Sequence, residues 1–224
     1  MKNRKSWWLL VIVSFGGVII PFVAPPYLLF DLDNSRIAET TASKPFILLF
    51  VHILFALFAL ITGFLQFIDQ LRKNKPKIHR YIGRLYVVNV LVSGIFAFVL
   101  VYYMEDFSKS VSFLVLTILW LVTTFIGYYK GFKRDFNQHR LWMIRSFGIT
   151  LVAVSGRLFV PVLLLTYYSL NGFTLPGGRD RMIEEVLNVN IWLGVVLNLV
   201  IMEWIILKKI AIGNDLNKTN TIKI

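Results

Sequence analysis

Cysteine is missing from all 224 residues, which removes disulfides, thiolate metal sites and a thiol nucleophile from consideration. Charge is scarce as well. Asp, Glu, Lys and Arg make up 16% of the chain, too few to cover the surface of a water-soluble domain. Histidine occurs three times, so no site can call on more than three imidazoles. Gly/Ser-rich tracts are absent, and with them any sign of a flexible linker between domains. No Walker, zinc-protease or serine-nucleophile motif occurs; enzyme activity is left open without a named catalytic residue.

What is present is hydrocarbon. Hydrophobic residues form 57% of the chain, with 19 Phe, 9 Tyr and 6 Trp, and the mean hydropathy is +0.68. Residues 8–30, WLLVIVSFGGVIIPFVAPPYLLF, carry no charge and exceed the roughly 20 residues that a helix needs to cross a bilayer. Comparable runs at 46–68, 85–104, 110–129, 146–168 and 189–207 make six candidate spans. They predict an all-α integral membrane bundle forming one domain over 1–224, with a polar cytoplasmic tail at 209–224 that frays. The first run is too long for a cleavable signal, and Pro25 after Ala24 is a poor cleavage context, so it reads as a retained span.

A net charge of +12 would suit nucleic acid on a soluble fold, but here the basic residues sit between apolar runs, and nucleic acid is excluded as a partner. With six spans and the N-terminus inside, about 18 Lys and Arg fall on one side against about 5 on the other. By the positive-inside bias both termini are cytoplasmic. The expected location is the bacterial cytoplasmic membrane, with anionic lipid headgroups as partners at the basic face. A protein partner or a second copy remains open.

Ionisable groups at membrane depth cost at least about 2.5 kcal/mol at the helix centre, so each needs a partner or a wet cavity. On a 3.6-residue helix His139, Ser146, Thr150 and Arg157 fall within about 20° of one line, a polar stripe that faces protein. On the second span His52, Ala56, Ala59, Gly63, Gln66 and Gln70 share a face whose small residues admit a close neighbour. Two readings compete for His52: a pocket shared with Arg157, or a lone buried imidazole bonded to a backbone carbonyl. Glu203 lies at the depth of Gln66, Arg84 and Arg145, which predicts a structural ion pair with one of the arginines.

Two stretches resemble each other, KIHRYIGRLY from Lys77 and NQHRLWMIRS from Asn137. Each is followed by a VSG triplet, at Val92–Gly94 and Val154–Gly156. The pattern reads either as a duplicated helical hairpin or as chance similarity among apolar helices, since the spacings differ by two residues. In the plain reading His79, Arg80, Arg84, His139, Arg140 and Arg145 are interfacial anchors. In the sharper one His79 and His139 supply both axial bonds to the iron of a haem b, with arginines beside them for the propionates.

The order HILFALFALITGFLQF, LRKNKPKIHRYIGRLYV and NQHRLWMIRSFGITLVAVSGRL, over about residues 50–160, resembles a bacterial multi-pass membrane family known as domain of unknown function 2306. The matching positions are His52, Gly63, Gln66, His79, Arg80, Gly83, Arg84, Tyr86, His139, Arg140, Trp142, Met143, Arg145, Ser146 and Arg157. The resemblance implies a multi-pass fold and brings no activity with it. A looser likeness to transmembrane b-type cytochromes implies haem held between helices, although a fourth histidine is lacking.

These observations predict a membrane-embedded binding or electron-transfer module whose ligand lies among spans two, three and five. Its contacts would come from His52, Gln66, His79, Arg80, Arg84, His139, Arg140, Arg145 and Arg157. The alternatives are a small-molecule or ion transporter working through an Arg157 and His52 pocket, and a structural subunit whose polar residues serve helix association alone.

Overall fold

The computed structural model describes residues 43–104 and 106–221. Seven helices run through them, and no strand occurs among the described residues. They are α1 (Ser43–Gln66), α2 (Asp69–Asn74), α3 (Pro76–Val101), α4 (Phe107–Phe132), α5 (Phe136–Thr150), α6 (Val152–Leu170) and α7 (Gly178–Thr221). Five of them, α1, α3, α4, α6 and α7, are long and apolar enough to cross a membrane. The predicted span at 8–30 lies outside the described residues.

Lipid is the solvent that this arrangement requires. Between 17% and 33% of each candidate span is buried inside the protein, so most apolar side chains point outward. Leu91, Ile95 and Phe98 on α3, Val122 and Phe125 on α4, and Val196 and Val200 on α7 are all exposed. In water such a surface would drive aggregation; in hydrocarbon it costs nothing. The family of polar contacts described below is what remains to set helix register.

Local chemistry marks the helix ends. Pro76 opens α3 where its missing N–H leaves no helical bond unmade. The Asp106 carboxylate accepts the Lys109 backbone N–H at 2.7 Å to cap α4. Between α4 and α5 the chain reverses in three residues. Arg134 takes a left-handed φ of 60°, and the Asp135 carboxylate both caps α5 through the Gln138 N–H at 3.2 Å and faces the Lys130 ammonium at 3.6 Å. So short a connection makes α4 and α5 antiparallel neighbours. Gly177 and Gly178, both at φ above 80°, turn the chain into α7 as the Pro-Gly-Gly sequence predicts.

The helices start ahead of the apolar runs at α3, Pro76 against 85, and at α7, Gly178 against 189, and two further boundaries differ from the hydropathy reading. The run 146–168 is divided at Leu151, whose N–H still bonds the Phe147 carbonyl while its own carbonyl accepts from both Val154 and Ser155. The Thr150 hydroxyl bonds back to the Ser146 carbonyl at 3.0 Å, a competition known to bend helices. The bend lets α5 pack on α4 while α6 packs on α7. A window of hydropathy sees only continuous apolarity there. The second difference is α7, which stays helical to Thr221 through residues assigned to a frayed tail. At about 1.5 Å per residue it is roughly 66 Å long, twice a hydrocarbon core of about 30 Å. Once nucleated in the membrane, a helix adds one bond per residue and continues into polar sequence.

The core lies where α1, α3, α4 and α5 meet, around Ala59, Tyr86, Val87, Val90, Trp120, Phe147 and Ile149. The second close contact is α6 on α7. There a side chain at Gly194 would meet the Val152 carbonyl oxygen at 3.1 Å and one at Gly156 the Asn190 carbonyl oxygen at 3.1 Å. Only glycine lets the two backbones approach so nearly.

Candidate functional site

A closed set of hydroxyls fixes the middle of the bundle. The Tyr86 hydroxyl of α3 lies 2.7 Å from the Ser146 hydroxyl and 2.9 Å from that of Thr150, both on α5. On α4, the Thr124 hydroxyl is 2.6 Å from Ser146 Oγ and 2.7 Å from the Trp120 carbonyl, while the Trp120 indole N–H donates to Thr150 Oγ1 at 2.9 Å. All five residues are buried. With the Thr150 proton given to the Ser146 carbonyl, the distances still let every donor be used once: Trp120 N–H to Thr150, Tyr86 to Ser146, Ser146 to Thr124, and Thr124 to the Trp120 carbonyl. Such a satisfied network rigidifies the junction and specifies which helix faces which. It is surrounded by apolar side chains, and its chemistry is architectural.

Closer to the end of the bundle where α1 finishes, α3 and α5 begin and α4 ends, further contacts tie the helices. Arg145 holds Glu203 of α7 with two bonds, Nε to Oε1 at 2.5 Å and Nη2 to Oε2 at 3.1 Å, and lies 4.8 Å from the centre of the Trp142 ring. Of the two arginines that depth offered Glu203, this is its partner. The fork of two bonds to one carboxylate, made from over a tryptophan ring, is what guanidinium supplies and ammonium does not. The Gln66 side-chain amide donates to the His79 backbone carbonyl at 3.1 Å, so α1 holds the first turn of α3.

His139 is enclosed by α4. Its Nδ1 lies 2.7 Å from the Gly127 carbonyl, which can only accept, so Nδ1 carries a proton and Nε2 stays outside that bond. The ring sits against Gly131, where any side chain would meet it at 2.8 Å. His79 differs. Its Nδ1 is buried and has no hydrogen-bond partner, and Arg72 and His139 lie within electrostatic reach of its ring. On the same end Lys209 of α7 lies within reach of Arg140, Arg72 and Asp69, while the Arg72 guanidinium donates to the Asp69 carboxylate at 2.8 Å. Four helices, α2, α3, α5 and α7, therefore bring charge and imidazole to one place. Arg80 and Arg84 are exposed on α3.

Deeper in the bundle, the His52 Nδ1 lies 2.9 Å from the Ser93 hydroxyl and 3.0 Å from its carbonyl, while that hydroxyl lies 3.0 Å from the His52 carbonyl. This reciprocal pair joins α1 to α3. The Arg157 Nη1 donates to the Ala153 carbonyl of its own helix at 2.7 Å. One of these residues thus bonds towards α3, and the other lies on a helix packed against α7. Among the described residues no group of three or more His, Asp or Glu is placed to hold a metal ion.

Sequence reading missed Ser93, Trp120, Thr124, Asn190 and Asn198, all of them buried. Ser93 receives His52, and the Asn198 amide donates to Ser155 Oγ at 2.6 Å. Ser93 and Ser155 are the serines of the two VSG triplets, so in both copies that hydroxyl meets a polar side chain of the adjoining helix. Thr124 stands three residues from Gly127, and Asn190 and Asn198 each four from Gly194, so a polar residue at that spacing from glycine within an apolar run was the available signal for these three; Ser93 and Trp120 carry none.

Residues 49–206 match the sequence model of a family described as "Predicted membrane protein (DUF2306)". No curated protein and no solved structure matches the chain.

Proposed function

We propose, for a chain that belongs to the DUF2306 family of predicted membrane proteins, a membrane-embedded binding module whose ligand docks at the end of the bundle bearing the two HR motifs. That end faces the cytoplasm by the charge bias of the connections. The observation that carries the reading is the buried, unpartnered Nδ1 of His79 beside His139 and Arg72. An orphaned buried polar atom costs about 1 to 3 kcal/mol. Architecture gives no return for that cost, since Gln66 already anchors the same turn through the His79 carbonyl. A ligand that meets the imidazole does.

Within this reading the redox form places a haem b against His79 and His139. His139 would be the residue to hold the iron, because the Gly127 carbonyl on Nδ1 leaves Nε2 to bond it. The form free of cofactor uses the same imidazoles with Arg140 and Arg80 to hold an uncoloured ligand. One experiment separates the two: the visible spectrum of the detergent-purified full chain. A Soret band that disappears in both His79→Ala and His139→Ala identifies the redox form. A colourless protein whose melting responds to ligand in a His79-dependent manner identifies the other. A chain that is colourless and retains no small molecule loses the binding reading altogether.

A further inference from the structure

The ligand class can be read from the charges that converge on the same end, an inference that rests on the binding role just proposed. Arg72 from α2 and Arg140 from α5 both lie within electrostatic reach of Lys209 on α7, with Asp69 as the one carboxylate acting on it. Asp69 is engaged by Arg72 at 2.8 Å. Three cations against one carboxylate leave two positive charges in excess at this end of the bundle. Like charges at such a place are destabilising until a counter-anion arrives.

We propose that this cluster binds a phosphomonoester, a phosphate group carrying close to two negative charges, with His79 as the imidazole that closes on it. The charge matches, since such a group carries about −1.5 to −2 at neutral pH. The geometry matches as well. The groups stand on four helices, and a phosphate presents three free oxygens in three directions, where a carboxylate presents two in one plane. His79 has no bond to lose at Nδ1, which is buried and unpartnered. The same phosphate chemistry could arrive as a soluble ion or metabolite, or as the exposed headgroup of a lipid such as phosphatidate.

The test uses the full chain in phosphatidylcholine nanodiscs, melted by following tryptophan fluorescence. Added inorganic phosphate, or phosphatidate within the disc, should raise the midpoint by about 5 °C near saturation, and chloride at equal ionic strength should not. Phosphate acting alone identifies a soluble ligand, and phosphatidate acting alone a lipid. Phosphatidylglycerol, a singly charged diester, should give a smaller shift than phosphatidate. His79→Gln and Lys209→Gln, both outside the packed core, should each weaken the response tenfold or more. An equal response to chloride, or a phosphate response unchanged in both variants, overturns the proposal. Native mass spectrometry distinguishes the two levels. A retained molecule without phosphate that is lost in His79→Gln overturns the phosphate assignment and leaves the binding role standing. No retained molecule and no shift overturns both.

Discussion

The two HR motifs start helices at the same end of the bundle and differ in what surrounds the imidazole. On α5, His139 is bonded to Gly127 and packed on Gly131, Arg145 is locked to Glu203, and Ser146 belongs to the hydroxyl network. On α3, the His79 Nδ1 has no partner, and Arg80 and Arg84 are exposed. One copy is used up in holding helices together. The other retains unused hydrogen-bonding capacity, and unused capacity in a buried position is where a ligand adds most.

The comparison breaks most severely at Ser146. Ser146→Ala removes a buried hydroxyl that serves both Tyr86 and Thr124 and leaves those groups short of a partner in an apolar surround. The expected loss is about 2 to 3 kcal/mol, read as a lower unfolding midpoint in detergent. Next is His139→Ala, which deletes the bond to the Gly127 carbonyl and the packing against Gly131, for a loss of about 2 kcal/mol. If His139→Ala melts like the parent, the contrast drawn between the two histidines is void. Arg145→Gln comes third. Glu203 is partly exposed, 45% of its side chain being accessible, so water screens much of the pair and the loss should be near 1 kcal/mol. Restoring the charge balance with Glu203→Gln in the same chain should recover part of it in a double-mutant cycle.

The legible part of this molecule was its solvent. Apolar runs placed α1 and α4 to within a few residues and marked α3 and α7 without their polar ends, because lipid rewards continuous hydrophobicity and nothing else of comparable size competes with it. The ion pair of Glu203 with Arg145 was also within reach, since charge at depth demands a partner and only two arginines shared its level. The bend at Leu151 was not. It follows from one threonine hydroxyl turning back on its own helix, and side chains of Ser and Thr point either way with equal hydropathy. Helix rotation was the other hidden quantity. His52 and Arg157 are both buried-depth polar residues by sequence, yet the bonds of His52 run to Ser93 on α3 and the guanidinium of Arg157 reaches Ala153 on α6. Azimuth is set by interlocking contacts such as Gly63 against Phe147 and Tyr86, and a single sequence shows their members without their pairing.

The smallest expected change in stability is also the sharpest form of the comparison. His79→Ala deletes a polar atom that has no partner to lose, so the desolvation cost goes with it and the midpoint in the absence of ligand should stay within about 0.5 kcal/mol of the parent. The Gln66 bond to the residue 79 carbonyl survives, because it uses backbone. Ligand response, in contrast, should disappear. A histidine present only for packing would give the opposite pattern: a measurable drop in the midpoint and an unchanged response. The same pair of measurements on His139→Ala should show a drop in the midpoint, so the two variants, compared side by side, separate an imidazole that supports the fold from one that the fold holds in reserve.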